Sequence, residues 1–127
     1  IRHGDVSGAY GYRFETPDRV IVISGDTSPG QSVVDACNGC DILIHEAYSL
    51  ETYNKVAPAF QLYRRRHHTS SRELADLATR ARPKLLVLYH RANPGGYGLP
   101  NPEEAVLREL KESYKGAVVT GHDLDKF

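Results

Sequence analysis

Three short, wholly apolar runs are the feature that most constrains the fold of this chain. They occupy residues 20–23, 42–44 and 85–88, and a polar or titratable residue follows closely after each of them. Such runs are typical of central strands that are buried on both faces of a sheet. Segments with helical periodicity separate the runs, so the sequence predicts an α/β layer in which helices cover a sheet.

The predicted elements are a β-hairpin followed by three helix–strand pairs. Ser28 is the expected N-cap of the first helix, with Pro29 at its first position. Residues 47–67 are the least predictable stretch, partly helical and long enough to cover a site. The expected bounds are strands at 10–14 and 19–24, a helix at 29–37, a strand at 41–45, a helix from a cap within 69–71 to Pro83, a strand at 84–90, a helix at 101–114 and a strand at 117–120.

Composition narrows the class of protein. The 127 residues suit a single domain, and 16 basic residues balance 16 acidic ones, so no overall basic field points to nucleic acid. The run Arg-Arg-Arg-His-His at residues 64–68 is a local exception that could meet phosphates. We find no signal peptide and no apolar stretch long enough to cross a membrane, and we expect a cytoplasmic protein.

Cys37 and Cys40 are the only cysteines and stand in C-x-x-C spacing. A redox pair or half of a zinc knuckle is one interpretation. We favour another, in which Asn38-Gly39 caps the first helix and the cysteines are small residues on either side of it. The sequence holds no second cysteine pair that would complete a zinc site.

Acidic and imidazole side chains follow the ends of the predicted strands. Asp26 comes after the first apolar run, His45-Glu46 after the second and His90 after the third. Strand ends that converge could bring these groups to one metal ion or one reacting bond. Each residue also has a structural interpretation, as a turn aspartate, a buried polar pair that holds a loop, or a hydrogen-bonded histidine at a strand end.

His68 precedes Thr69-Ser70 at the start of a predicted helix. The positive end of a helix dipole favours anions, so an imidazole there can hold a phosphate or give a proton to a leaving group. A solvent-exposed residue at the helix entry is the alternative, and the neighbouring His67 leaves the choice open. His3, taken in isolation, carries no assignment.

Taken in order, these motifs resemble the C-terminal half of a metallo-β-lactamase-fold hydrolase. Within that superfamily the chain is most similar to the ribonuclease Z and arylsulfatase-like branch. The resemblance covers nearly the whole chain and implies half of an αββα sandwich, with a mixed β-sheet covered by helices, over residues 1–127. The matching strings are A-Y-G-Y-R-F-E-T-P-D-R at 9–19, I-S-G-D-T at 23–27, L-I-H-E-A at 43–47, H-T-S at 68–70 and L-Y-H at 88–90.

The resemblance also implies a role for each matching residue. His3 and His90 match metal ligands, and Asp26 matches the aspartate that bridges two metals. His68 matches a catalytic histidine thought to act in proton transfer or to stabilise the scissile phosphate, and Glu46 matches a carboxylate that supports it. In family members the metals, usually two zinc ions in a complete site, activate a bridging water for attack.

The family's signature H-x-H-x-D-H, which supplies most of the metal ligands, does not occur in this sequence. The sequence also contains no Met and begins with Ile1. We therefore expect a piece of a longer polypeptide whose N-terminal half carries that signature. We expect the piece alone to be inactive and poor in metal, because zinc needs four ligands, or three and a water.

The sequence does not decide between two classes of substrate. One is a phosphodiester, which could be RNA, and the other is a small sulfate, ester or lactone. Tyrosines within residues 47–67 and the Gly- and Pro-rich loop at 93–97 could form a pocket wall for a small apolar group. Another class of function is a non-catalytic α/β binding module, although the sequence lacks a Gly-rich phosphate loop. A third is a half-domain that functions only by association, for example as a homodimer that hides its inner sheet face.

Overall fold

The computed structural model describes residues 1–90 and 102–127. Ten elements follow one another along these residues, and they confirm the predicted order of hairpin, helices and strands. Their bounds are β1 Tyr12–Glu15, β2 Val20–Ile23, α1 Gln31–Cys37, β3 Ile42–Glu46, α2 Leu50–Tyr53, α3 Pro58–His67, α4 Ser71–Ala81, β4 Leu85–Tyr89, α5 Pro102–Ser113 and β5 Val118–Thr120.

The five strands form one mixed sheet in which spatial order equals chain order, β1-β2-β3-β4-β5. β1 pairs antiparallel with β2, and the three remaining pairs are parallel. The parallel strands β2 to β5 therefore all point their carboxyl ends to one edge of the sheet. That edge carries the last residues of β3 and the residues that follow β2 and β4, which together include every strand-end candidate of the sequence analysis.

One face of the sheet is covered by helices. Val22, Leu43, Leu86 and Leu88 point to this face, since they share a buried cluster with residues of α1, α4 and α5. Leu43, Leu86 and Leu88 are fully buried. The helical contribution to the same cluster comes from Val33, Val34, Leu74, Leu77, Ala78, Val106 and Leu110.

The opposite face of the sheet is apolar and only partly covered. Side chains alternate along a strand, so the neighbours of the core residues point away from the helices. On β1, Tyr12 and Phe14 are 58% and 51% exposed, and their rings lie 6.2 Å apart. Register aligns further apolar residues across this face, namely Ile21, Ile23, Ile42, Ile44, Leu85, Val87 and Val119.

The ends of two helices test the predicted caps. Ser70 caps α4: its hydroxyl accepts from the Glu73 N–H, and the Glu73 carboxylate accepts from Ser70 N, which completes a capping box. The predicted cap of α1 is wrong, because the helix begins at Gln31 and not at Pro29. Ser28 is engaged elsewhere, since both its N–H and its hydroxyl donate to the carbonyl of Arg2.

The C-N-G-C segment differs in part from its interpretation. Asn38 caps α1 in a left-handed conformation with φ 38°, as the sequence predicts. The two cysteines are more than small flanking residues, because a disulfide joins Cys37 to Cys40. Both are 2% exposed, so the disulfide closes the end of α1 from within the core.

Two predicted features lie outside the described residues: the loop at 93–97 and the first residue, Asn101, of the helix predicted at 101–114. Within the part of the chain that the structure describes, no helix is long and apolar enough to span a membrane.

Candidate functional site

Asp26 and His90 meet at the carboxyl edge of the sheet. Asp26 lies in the turn after β2 and His90 directly after β4, and Asp26 Oδ2 is 3.1 Å from His90 Nε2. Both side chains are partly open to solvent, 38% and 47% exposed. The structure thus brings together an oxygen donor and a nitrogen donor that the sequence separates by 64 positions, where a metal ion could be shared.

The backbone at both positions is unusual. His90 has φ 39°, a left-handed conformation that non-glycine residues rarely adopt and that clusters at functional sites. Gly25, directly before Asp26, has φ 65°, and a Cβ there would lie 2.6 Å from the carbonyl oxygen of Tyr10. The turn that presents Asp26 therefore requires glycine.

Glu46 and His68 form a buried pair beside these two residues. His68 Nδ1 lies 3.0 Å from Glu46 Oε1, and the two side chains are 8% and 0% exposed. The same carboxylate oxygen accepts from Thr27 N at 2.9 Å. When Glu46 is ionised it holds the proton on Nδ1, so Nε2 of His68 stays free to accept or donate one.

The surroundings of Glu46 oppose its ionisation. Burial raises the pKa of the Glu46 carboxyl, while the hydrogen bonds from His68 and from Thr27 act in the other direction. Its second oxygen, Oε2, is buried and has no hydrogen-bond partner among the residues described. A carboxylate held this way has its strongest interaction with the His68 imidazole, which is how it can orient that ring.

His3 reaches the same edge from the start of the chain. Its Nδ1 donates to the carbonyl of His67 at 2.9 Å, and its ring centre is 5.3 Å from that of His68. The His68 ring centre in turn lies 6.0 Å from that of His90. Donation from Nδ1 leaves Nε2 of His3 unprotonated, which is the tautomer that metal-bound histidines use.

The side chains at this edge are of the types that bind zinc, but they are too few to complete a zinc site. Asp26, His90 and His3 offer the oxygen and nitrogen atoms that zinc binds. However, within residues 1–90 and 102–127 no three His, Cys, Asp or Glu side chains are placed so that they could hold one metal ion. A complete zinc site therefore needs ligands beyond the described residues.

The basic run at residues 64–68 does not act as one surface. Arg64 is 2% exposed, and its guanidinium lies over the rings of Tyr48 and Phe60, 5.7 and 5.4 Å from their centres. It therefore packs within the protein and does not face phosphates, which corrects the expectation for this residue. Arg65 and Arg66 are exposed.

The different surroundings of His45 and Glu46 were not predicted from the sequence. His45 is completely buried, its Nδ1 donates to the Glu46 carbonyl at 2.7 Å, and burial lowers its pKa to about 4. Strand alternation was the signal available, since it puts neighbouring residues on opposite faces. His45 shares its sheet row with Leu88, which belongs to the helix-covered core.

Comparison with known proteins gives relatives of two kinds. No family model matches the chain. The chain is 32% identical over 107 residues to the ribonuclease Z of Haloarcula marismortui, covering 84% of this chain and 31% of that protein. It therefore spans about a third of the length of that curated relative.

Solved structures that share its fold include the following two. The metallo-β-lactamase fold protein YhfI from Bacillus subtilis superposes with a TM-score of 0.70 at 20% identity, covering 95% of this chain and 45% of that one. The short form of human tRNase Z superposes with a TM-score of 0.57 at 24% identity, covering 91% of this chain and 36% of that one.

Proposed function

Since the chain is a ribonuclease Z-like polypeptide with the metallo-β-lactamase fold, we propose that it is the C-terminal portion of a metal-dependent hydrolase that cleaves a phosphodiester. One observation carries the proposal. The buried Glu46–His68 pair opens on the same sheet edge as the contact between Asp26 and His90. A proton-transfer group thus stands beside two atoms of the kind that bind a metal.

His68 is the residue that handles the proton. Glu46 fixes its ring through Nδ1, and Nε2 gives a proton to the oxygen that leaves when the ester bond breaks. The hydrogen bond from Thr27 N keeps the Glu46 carboxylate in place. Glu46 is therefore a positioning residue, because it acts on the substrate through His68.

Asp26, His90 and His3 would be ligands of a two-metal site, in which these three side chains do not share one ion. Zinc, when bound, supplies a water whose pKa is lowered to near neutrality. The remaining ligands of a two-zinc site would come from the N-terminal half of the longer protein, which would also carry the H-x-H-x-D-H signature. Cytoplasmic location is part of the same proposal.

That N-terminal half would also cover the apolar sheet face opposite the helices. The face carries exposed Tyr12 and Phe14 next to an aligned apolar surface, which a single folded domain seldom leaves open. A second copy of this chain is the alternative cover. Light scattering of the longer protein would separate the two, since only the second arrangement requires a dimer.

The leading substrate is a phosphodiester, and RNA is a natural polymer joined by such bonds. The test compares hydrolysis of bis-p-nitrophenyl phosphate and p-nitrophenyl sulfate by the full-length protein. We expect the phosphodiester to be cleaved faster. Preference for the sulfate would instead favour an arylsulfatase-like enzyme, and no hydrolysis by metal-loaded protein would favour a binding module.

Two variants of the full-length protein test the roles of the residues. Asp26→Ala should abolish metal binding and hydrolysis together, because it removes a ligand. His68→Ala should keep the metal and lower turnover by roughly two to four orders of magnitude, the usual worth of a general acid. Metal content by plasma mass spectrometry distinguishes the two losses. Normal turnover of the His68 variant would contradict its role.

A further inference from the structure

A row of aromatic rings runs along α3 toward the Glu46–His68 pair. Phe60, Tyr63 and His67 recur at the i, i+3 and i+7 spacing that puts residues on one face of a helix. Their ring centres are 5.8 Å apart from Phe60 to Tyr63 and 4.2 Å apart from Tyr63 to His67. We call these three residues the α3 aromatic row.

The row is open to solvent at one end and touches the candidate site at the other. Phe60 and Tyr63 are 47% and 44% exposed. The ring centre of Tyr63 lies 5.7 Å from that of His68, and the ring of His67 lies 5.0 Å from that of His3. From Phe60 to His67 the helix rises by about 10 Å, which is long enough for more than one planar group.

Contacts with neighbouring groups of the protein hold the two outer rings in place. The guanidinium of Arg64 lies 5.4 Å from the centre of the Phe60 ring, and Arg64 itself is 2% exposed. His67 Nδ1 donates to the carbonyl of Tyr63 at 2.9 Å. The His67 ring also packs directly against Gly4, where a Cβ would lie 2.1 Å from His67 Nε2. A surface of fixed rings loses little entropy when a ligand stacks on it.

The charge of α3 itself is positive. α3 reads P-A-F-Q-L-Y-R-R-R-H and contains no acidic residue, and Arg65 and Arg66 of the same helix are exposed. Exposed aromatic rings beside arginines form the kind of surface that binds single-stranded nucleic acid, in which bases stack on the rings and cations meet the phosphates. A protein partner with an apolar surface would gain nothing from the positive charge of these arginines.

We propose that the α3 aromatic row is a stacking platform for the bases of single-stranded RNA beside the bond that is cleaved. The position of the cleaved bond rests on the proposed function above, whereas the binding of bases does not. Tyr63 is the central ring, because it contacts both Phe60 and His67. Arg66, one helical turn beyond Tyr63, meets a phosphate of the bound strand.

The test measures binding of a fluorescein-labelled oligoribonucleotide of eight residues by fluorescence anisotropy, with the full-length protein. An abasic oligomer of the same length and charge is the comparison ligand. Tyr63→Leu should weaken binding of the RNA roughly 5- to 150-fold, the usual worth of one base–aromatic stack. The same change should leave binding of the abasic oligomer within about twofold, because no base is there to stack.

Matched variants separate stacking from other causes. Tyr63→Phe keeps the ring and should restore binding to within about twofold of the wild type. Leu62→Ala removes a side chain that is 51% exposed on the same helix and should leave binding unchanged. Arg66→Gln should lower the slope of log affinity against log salt by about 0.7, the value for one phosphate contact on a single strand. Circular dichroism confirms that each variant is folded.

Each outcome decides for or against the platform. Equal affinity for the RNA and the abasic oligomer, or equal loss in Leu62→Ala and Tyr63→Leu, would overturn it. Hydrolysis of bis-p-nitrophenyl phosphate is measured on the same samples and contains no base. If hydrolysis occurs but RNA and the abasic oligomer bind equally well, the stacking platform is contradicted and the proposed hydrolase function is supported. If RNA binds more tightly than the abasic oligomer but no hydrolysis occurs, the stacking platform is supported and the proposed hydrolase function is contradicted.

Discussion

At the scale of single residues, the site depends on histidines in unlike surroundings. His68 is buried against a carboxylate, His90 contacts Asp26 at the surface, and His45 is completely buried among apolar residues. The same side chain therefore lies in three different environments. In the proposed function only His68 and His90, which reach the sheet edge, take part in the chemistry, whereas His45 affects stability.

The burial of His45 predicts that the chain loses stability in acid. Burial lowers its folded-state pKa to about 4 from an ordinary value of 6.5. Between these values the unfolded chain binds the proton more readily, so the free energy of unfolding falls as the pH falls below 6.5. The loss approaches about 3 kcal/mol near pH 4. Glu46 acts in the opposite direction, because burial raises its pKa.

His45→Asn isolates the contribution of His45. An amide can still donate to the Glu46 carbonyl but does not titrate. Urea unfolding at pH 7.5 and pH 4.5 should show the wild type losing stability relative to the variant on acidification. Stability curves that stay parallel across this range would contradict the assignment.

At the scale of elements, prediction succeeded where a pattern is local and failed where a distant contact decides. β4 was predictable because four consecutive apolar residues have to be buried, and α4 because Ser70 and Glu73 stand at capping-box spacing. The start of α1 was not, because the carbonyl of Arg2 binds Ser28. The pairing of Glu46 with His68 spans 22 positions, and it was expected only from the family resemblance and not from any local motif.

The capping box of α4 gives a prediction at this scale. Ser70→Ala leaves the N–H of Glu73 without its side-chain acceptor and should destabilise the chain by about 1 kcal/mol. The melting temperature should fall by about 4 °C. Ser113→Ala is the matched control, since Ser113 is exposed at the last position of α5. Equal shifts in the two variants would show that the cap contributes nothing measurable.

At the scale of the whole molecule, one face of the β-sheet is covered by helices and the other is only partly covered. α1, α4 and α5 enclose a core against the first, while the second presents aligned apolar side chains with only partial cover. Both the sequence and the fold point to half of a larger sandwich. The sequence could not show how much of this sheet face is exposed. An apolar sheet face has the same residue pattern whether or not another layer covers it.

The uncovered face predicts how the isolated chain behaves. We expect it to self-associate at micromolar concentration, because exposed apolar sheet surface is a site of association. Replacing both Tyr12 and Phe14 by Lys should yield a monomer in size-exclusion chromatography with light scattering. Glu15→Lys adds a cation to the other face of β1 and should leave the association unchanged. A monomeric wild-type chain would contradict this expectation.

The order of the strands has a consequence for biosynthesis. Each strand from β2 to β5 lies beside the strand that precedes it in the chain, so a partner for it has already been synthesised when it leaves the ribosome. Every newly emerged helix–strand pair can add to an edge that already exists, and the sheet can grow from one side as translation proceeds. The carboxyl edge that holds Asp26, Glu46 and His90 would then assemble in the order of synthesis, with His90 completing it.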